Sequence, residues 1–232
     1  MKTAILALTC GRIEKTRETF EHNLRGIDTD VLLWDNSEDD ADIAAIDTIL
    51  KDYPNIIDVR RMYKNLGIAH ALNRLMQVAF EENDYDFVIT MGNDILEPER
   101  WVTIREIYAV EIPRVGIVSI PLAGAARYPI QKHLDLLWES GHIIGNFGIT
   151  RECFEKIGYM PEVYGIYGPI DLEYCDKAMA VNLRTIYVST MWATHLDGEN
   201  PQEYQQAKDN SLKAAWPIYL DRKRRIANGQ KL

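Results

Sequence analysis

At 232 residues the chain is long enough for one sizeable core, and α/β folds of this length are often a single domain. Hydrophobic and charged contents of 47% and 26% are those of an ordinary soluble globular protein, and a net charge of −9 argues against a non-specific nucleic-acid binder. Three widely spaced cysteines, Cys10, Cys153 and Cys175, fit reduced core thiols in a cytoplasmic protein better than a disulfide framework or a zinc site. No run reaches the roughly 18 apolar residues that cross a bilayer, and the N-terminus lacks a signal-peptide pattern.

In chain order, strand and helix alternate. Ala4 to Leu8 reads as a strand, Cys10-Gly11-Arg12 as a turn and Thr16 to Leu24 as a surface helix. Val31 to Trp34 is the second strand, ending in Asp35-Asn36-Ser37 and an acidic segment. Ala41 to Tyr53 carries Ile43, Ile46, Ile49 and Leu50 at helical spacing. A third strand, Ile56 to Arg60, is followed by a helix from Gly67 to Phe80 with Ile68, Leu72, Leu75, Met76 and Ala79 on one face. Such alternation predicts βαβ units and a mostly parallel sheet flanked by helices.

The chain is organised around Asp86 to Pro98. Phe87 to Met91 reads as a buried strand that breaks at Gly92 and presents Asn93 and Asp94 before Pro98 opens a helix. Ligands of open α/β sheets bind beyond the carboxyl ends of the strands, where a carboxylate can hold a divalent cation against a phosphate. The simpler role for Asp94 is a helix cap.

Beyond it, Val115 to Ile120 reads as a strand and Pro121 to Tyr128 as a loop. Gly141 to Ile149 reads as a glycine-rich strand passing close to a ligand or another backbone. Arg151 to Ile157 is a short helix, and the aromatic loop Tyr164 to Asp171 leads into a helix through about Val181. Thr185 to Val188 is a strand, Trp192 to Gly198 a turn, and from Pro201 the pattern is helical, ending in Arg222-Lys223-Arg224-Arg225. Those cations complement a helix dipole; the alternative is a docking patch for an anionic partner.

From Lys2 to Gly198 the chain resembles family 2 glycosyltransferases of the GT-A fold, a Rossmann-like nucleotide-diphospho-sugar transferase architecture. The resemblance rests on shared order: Thr9-Cys10-Gly11-Arg12 after the first strand, Trp34-Asp35-Asn36-Ser37 after the second, and Asn65-Leu66-Gly67 with Asn73. The family's Asp-x-Asp metal motif falls on Gly92-Asn93-Asp94, its Glu-Asp-x-Asp/Glu motif on Ile170-Asp171-Leu172-Glu173, and its late His on His195. Two departures stand out: Gly92 replaces the first Asp of the metal motif, and Ile170 replaces the Glu before the base.

The resemblance implies residues 1–97 as a nucleotide-sugar half, 98–200 as an acceptor half and 201–232 as a helical extension of the same domain. It implies Asp94 and His195 as ligands of Mn2+ or Mg2+, and Asp171 as the base that deprotonates an acceptor hydroxyl. Thr9, Arg12, Asp35, Asn65, Gly67, Asn73 and Asn93 would line the donor, a UDP- or dTDP-hexose, with Arg12 meeting its diphosphate and Asp35 its base or ribose. Each has a plainer role: Asp171 as a helix N-cap, Asp35 in an Asx-turn, Arg12 at the surface. Tyr164, Tyr167, Trp138 and Trp192 are candidates for sugar stacking, and Glu173 for orienting neighbours or binding acceptor. The acceptor hydroxyl could belong to a glycan, a lipid-linked intermediate, a protein or a modified nucleic acid. The competing readings are a degenerate binding module for a sugar nucleotide or glycan, and a nucleotidyltransferase. The latter predicts a glycine-rich phosphate loop, for which Thr9 to Lys15 is too poor in glycine.

Overall fold

The computed structural model describes residues 1–124, 130–196 and 202–230. The expected loop through Tyr128, the turn at Asp197-Gly198 and the helix start at Pro201 fall partly or wholly outside the described residues.

Its centre is a nine-stranded sheet. β1 (Thr3–Thr9), β2 (Asp30–Asp35), β3 (Ile56–Arg61) and β4 (Phe87–Met91) form its first half. β6 (Val115–Ser119), β7 (Ile130–His133), β8 (Leu137–Ser140), β9 (Phe147–Thr150) and β10 (Arg184–Val188) form the second. The order is β3-β2-β1-β4-β9-β6-β10-β8-β7. All strands point one way except β9 and β8, which run antiparallel to their neighbours, so the sheet is mostly parallel as expected. A separate ribbon pairs β5 (Ile95–Leu96) with β11 (Thr194–His195).

Strand periodicity explains the layering. Ala4 and Leu6 of β1 face one core and Ile5 and Ala7 the other, each fully buried, which is why β1 reads as a continuous apolar run. One core packs α3 (Ile68–Met76), α5 (Arg151–Ile157), α6 (Ile170–Ala180) and part of α7 (Gln202–Ala227) onto the sheet. The other packs α1 (Ile13–Leu24), α2 (Asp40–Leu50) and α4 (Trp101–Glu111). In α3, Leu72, Leu75 and Met76 are buried, each stabilising the fold by about 1.5–3 kcal/mol. No helix among the described residues is long and apolar enough to cross a membrane.

Several expectations need correction. The helix after β4 starts at Trp101, not Pro98, because Arg100 adopts a left-handed φ of 61° and breaks the first turn. The helix from Gly67 changes to a π-helical turn over Gln77–Glu82 before it ends. Of the expected strand Gly141 to Ile149, only Phe147 onward pairs; residues 141–146 form a loop. The β7–β8 hairpin and the β5–β11 ribbon were not expected.

β9 joins the two halves by pairing with both β4 and β6. A Cβ at Gly148 would lie 2.1 Å from Cζ of Phe87, so only glycine lets β4 and β9 approach this closely.

Candidate active site

The site lies beyond the carboxyl end of β4. Register builds it: His195 of β11 pairs with Ile95 of β5, so the imidazole arrives beside Asp94 from the far end of the chain. The Leu196 amide donates to the Asp94 carbonyl at 2.7 Å, and Lys15 Nζ donates to the Leu196 carbonyl at 2.9 Å, tying ribbon to α1. His195 Nε2 stands 3.5 Å from Asp94 Oδ2, and Arg12 Nη2 meets the same oxygen at 2.5 Å. Arg12 reaches it from a left-handed turn, φ 50°, that opens α1. Burial works to raise the Asp94 pKa. A hydrogen bond from His195 and the charges of Arg12, His195 and Lys208 outweigh it and hold the carboxyl below the usual carboxylate range. Asp94 is therefore an ionised, cation-ringed carboxylate and not a helix cap.

Asn93 turns inward, its amide donating to Thr16 Oγ1 at 2.8 Å while its carbonyl oxygen accepts from Arg12 at 3.4 Å. Gly92 donates its amide to Asn146 Oδ1 at 2.9 Å, and a Cβ there would sit 3.1 Å from Asp94 Oδ1. A carboxylate at position 92 would therefore crowd Asp94. Beneath this turn lies a buried network that the sequence reading missed. Glu97 and Arg105 pair at 2.9 Å with both side chains fully buried, and the Asn146 amide donates to Glu97 at 2.9 Å. Its only sequence signal was two opposite charges eight residues apart.

The residues expected around the nucleobase divide. Asp35 is fully buried; Oδ1 accepts from Thr9 Oγ1 at 3.0 Å and from the Ser37 amide and hydroxyl at 3.0 and 2.6 Å. Oδ2 faces Arg61 at 3.4 Å. Thr9 and Asp35 thus build the turn, the plainer role, and do not present polar atoms at the surface. Asn65 closes its own Asx-turn onto the Gly67 amide at 3.0 Å and lies next to Cys10 Sγ at 3.6 Å; Cys10 is exposed, so of the three cysteines only Cys153 and Cys175 are the expected core thiols. Gly67, φ 90°, faces a protein backbone where a nucleotide was expected: a Cβ would lie 2.8 Å from the Gly165 carbonyl oxygen. Asn73 is buried and bonds the Met160 backbone at both its amide and carbonyl, 3.0 and 2.8 Å, and Glu162 at 2.8 Å.

In the half expected to meet the acceptor, Asp171 occupies the first turn of α6, whose N-cap is Pro169; Asp171 does not cap it. Its Oδ2 lies 3.3 Å from His142 Nε2, a partner absent from the sequence reading, and Oδ1 accepts from the Leu172 amide at 2.9 Å. Glu173 is fully buried, paired with Arg222 at 2.7 Å through two bonds and hydrogen-bonded to the Tyr164 hydroxyl. Lys223 meets Asp176 at 3.1 Å. Half of the basic tail therefore fastens α7 to α6, and Glu173 and Tyr164 belong to that fastening. Lys208 of α7 lies over the Tyr167 ring at 4.7 Å. Trp138 and Trp192 meet edge to face at 5.6 Å, with Trp192 47% exposed.

Asp94 and His195 place one carboxylate oxygen and one imidazole nitrogen 3.5 Å apart, with Arg12 on the same oxygen. Among the described residues no group of three or more His, Cys, Asp or Glu could hold a metal. A two-donor pair fits an ion whose remaining positions are filled by water and substrate phosphate, the usual habit of magnesium and manganese.

The mostly parallel sheet, flanked by helices on both faces and with a carboxylate turn beyond its fourth strand, is the fold of the GT-A glycosyltransferases. No protein-family model and no curated protein matches the chain. Among solved structures it is similar to the mannosyltransferase PcManGT from Pyrobaculum calidifontis in complex with GDP-Man and Mn2+, with a TM-score of 0.66 and 15% identity over 90% of this chain and 60% of that one. GalNAc-T7 with UDP, GalNAc and Mn2+ gives 0.65 and 15% over 87% and 45%. TarS residues 1–349 from S. aureus with UDP-GlcNAc gives 0.64 and 15% over 88% and 61%. The chain thus spans 45% to 61% of these proteins.

Proposed function

We propose that the chain is a glycosyltransferase that moves a hexose from a nucleoside-diphosphate sugar, a UDP-sugar first among them, to an acceptor hydroxyl with inversion. The observation that carries this is the convergence of Arg12 and His195 on Asp94 at the carboxyl end of β4 in a GT-A sheet. Three similar structures with sugar or sugar-nucleotide ligands support it, two of them with uridine nucleotides. In this reading residues 1–97 form the donor half, 98–200 the acceptor half and 201–232 an extension fastened to it.

Asp94 and His195 would hold a divalent cation, which when bound neutralises charge on the departing diphosphate. Arg12 supplies a fixed positive charge at the same place and is suited to a phosphate oxygen. Asp171, 34% exposed and held by two donors, takes the proton from the acceptor hydroxyl as that oxygen attacks the anomeric carbon. The bond from that carbon to the phosphate oxygen breaks, and its electron pair leaves with the diphosphate. Attack opposite the leaving group inverts the anomeric centre.

The test is incubation with UDP-glucose, UDP-GlcNAc and GDP-mannose in the presence of Mn2+, following nucleoside-diphosphate release. Release from one donor, abolished by Asp171→Asn, is expected. The departures at Gly92 and Ile170 favour a second reading, a module that holds a sugar nucleotide without turnover. That reading predicts binding with no release.

A further inference from the structure

We infer that His142 is a positioning residue for Asp171, fixing the carboxylate that receives the acceptor proton. This rests on the transferase reading above. Two observations carry it: the 3.3 Å approach of His142 Nε2 to Asp171 Oδ2, and the rigidity of the backbone that presents the imidazole.

An Asp in an exposed first helical turn, held only by its neighbour's amide, rotates freely about its side-chain bonds. Asp171 has that amide, Leu172 N, on Oδ1, and the imidazole supplies a second point on Oδ2. Two donors fix the plane of the carboxylate, while each oxygen keeps a further lone pair for the acceptor hydroxyl. Nε2 then carries the proton that His142 donates, and it stays on the ring while the acceptor proton moves to Asp171.

His142 is not an ordinary loop histidine. Ser140 Oγ donates to its carbonyl at 2.7 Å and accepts from its amide at 3.2 Å. Ser140 in turn accepts a hydrogen bond from Thr185 of β10 at its carbonyl. One residue on, Ile143 is fully buried, and the Ile144 amide donates to the Tyr187 hydroxyl at 2.6 Å. The loop is thus anchored on β8 and β10 at both sides of His142. The same loop ends at Asn146, which accepts from the Gly92 amide and donates to buried Glu97. Residues 141–146 therefore tie the base to the donor-side carboxylate turn and set the span between them. The position where the family pattern has a carboxylate beside the base is the buried Ile170, so the polar partner of Asp171 comes from this loop.

The experiment compares wild type, His142→Ala, His142→Gln and Asp171→Asn, using whichever of UDP-glucose, UDP-GlcNAc or GDP-mannose the wild type turns over, with water as acceptor. His142→Ala is expected to lower kcat about tenfold to a hundredfold with donor KM unchanged, and His142→Gln, whose amide still donates, to stay within about threefold of wild type. Full kcat in His142→Ala while Asp171→Asn is dead overturns the inference alone. So does a loss equal in His142→Ala and His142→Gln, or one carried by donor KM. Wild-type turnover in Asp171→Asn overturns the base reading itself, a distinct failure.

Discussion

The two halves of the sheet are built differently, and the surroundings of their carboxylates differ with them. In the first half, β1 to β4 run parallel, and two of them end in a carboxylate turned onto an arginine: Asp35 of β2 faces Arg61, and Asp94 after β4 faces Arg12. In the second half, antiparallel β9 and β8 interleave with parallel strands, and Asp171 meets an imidazole on a loop. The ends of β2 and β4 thus carry guanidinium–carboxylate pairs. Asp171 instead faces an imidazole and a backbone amide.

The contrast breaks first at the base. Asp171→Asn should lower turnover by about 10²–10⁴-fold while leaving nucleoside-diphosphate affinity unchanged, measured by initial rates and calorimetry. A matching loss of affinity would mean that the two halves do not divide the work in this way. Next comes the network supporting the donor turn. Glu97→Gln leaves the fully buried Arg105 guanidinium without its counter-charge and should destabilise the fold by about 3–5 kcal/mol in urea unfolding. A neutral result would show that the donor turn does not depend on this pair.

The seam between the halves is tested by Gly148→Ala. The added methyl would overlap the Phe87 ring, and forcing β4 and β9 apart should destabilise by about 1–3 kcal/mol, read as a lowered midpoint with unchanged m.

The smallest effect is acidic. Because the Asp94 pKa is lowered in the fold, its contribution is fully present above the unfolded carboxylate value and is lost as pH falls through the folded one. The stability difference between wild type and Asp94→Asn should shrink as pH falls below about 4. A difference independent of pH would contradict the ion pairing.

The same division governs what could be read from sequence. β1, β2 and β4 are buried on both faces, so their apolar runs announce them, and Asp94 stands out at the end of one. The β7–β8 hairpin lies at the sheet edge; of Ile130–His133 three residues are exposed, so no hydrophobic alternation marks it. β5 and β11 have two residues each, too short for any period, although their pairing brings His195 to Asp94. His195 was reached through motif order and His142 was not, because a loop residue whose partner lies 29 positions away leaves no local pattern. Gly67 and Asn73 stood out by motif order as donor-lining residues, but their observed partners, the Gly165 backbone and residues Met160 and Glu162, arise only from tertiary packing.

The most direct measurement is calorimetric titration of UDP, GDP and dTDP into wild type and Asp94→Asn, with and without Mn2+. At least one nucleoside diphosphate should bind, more tightly with Mn2+, and Asp94→Asn should remove the Mn2+-dependent gain. Failure of all three to bind, or an Asp94→Asn protein that binds as wild type does with Mn2+, would contradict the placement of the donor site at the end of β4.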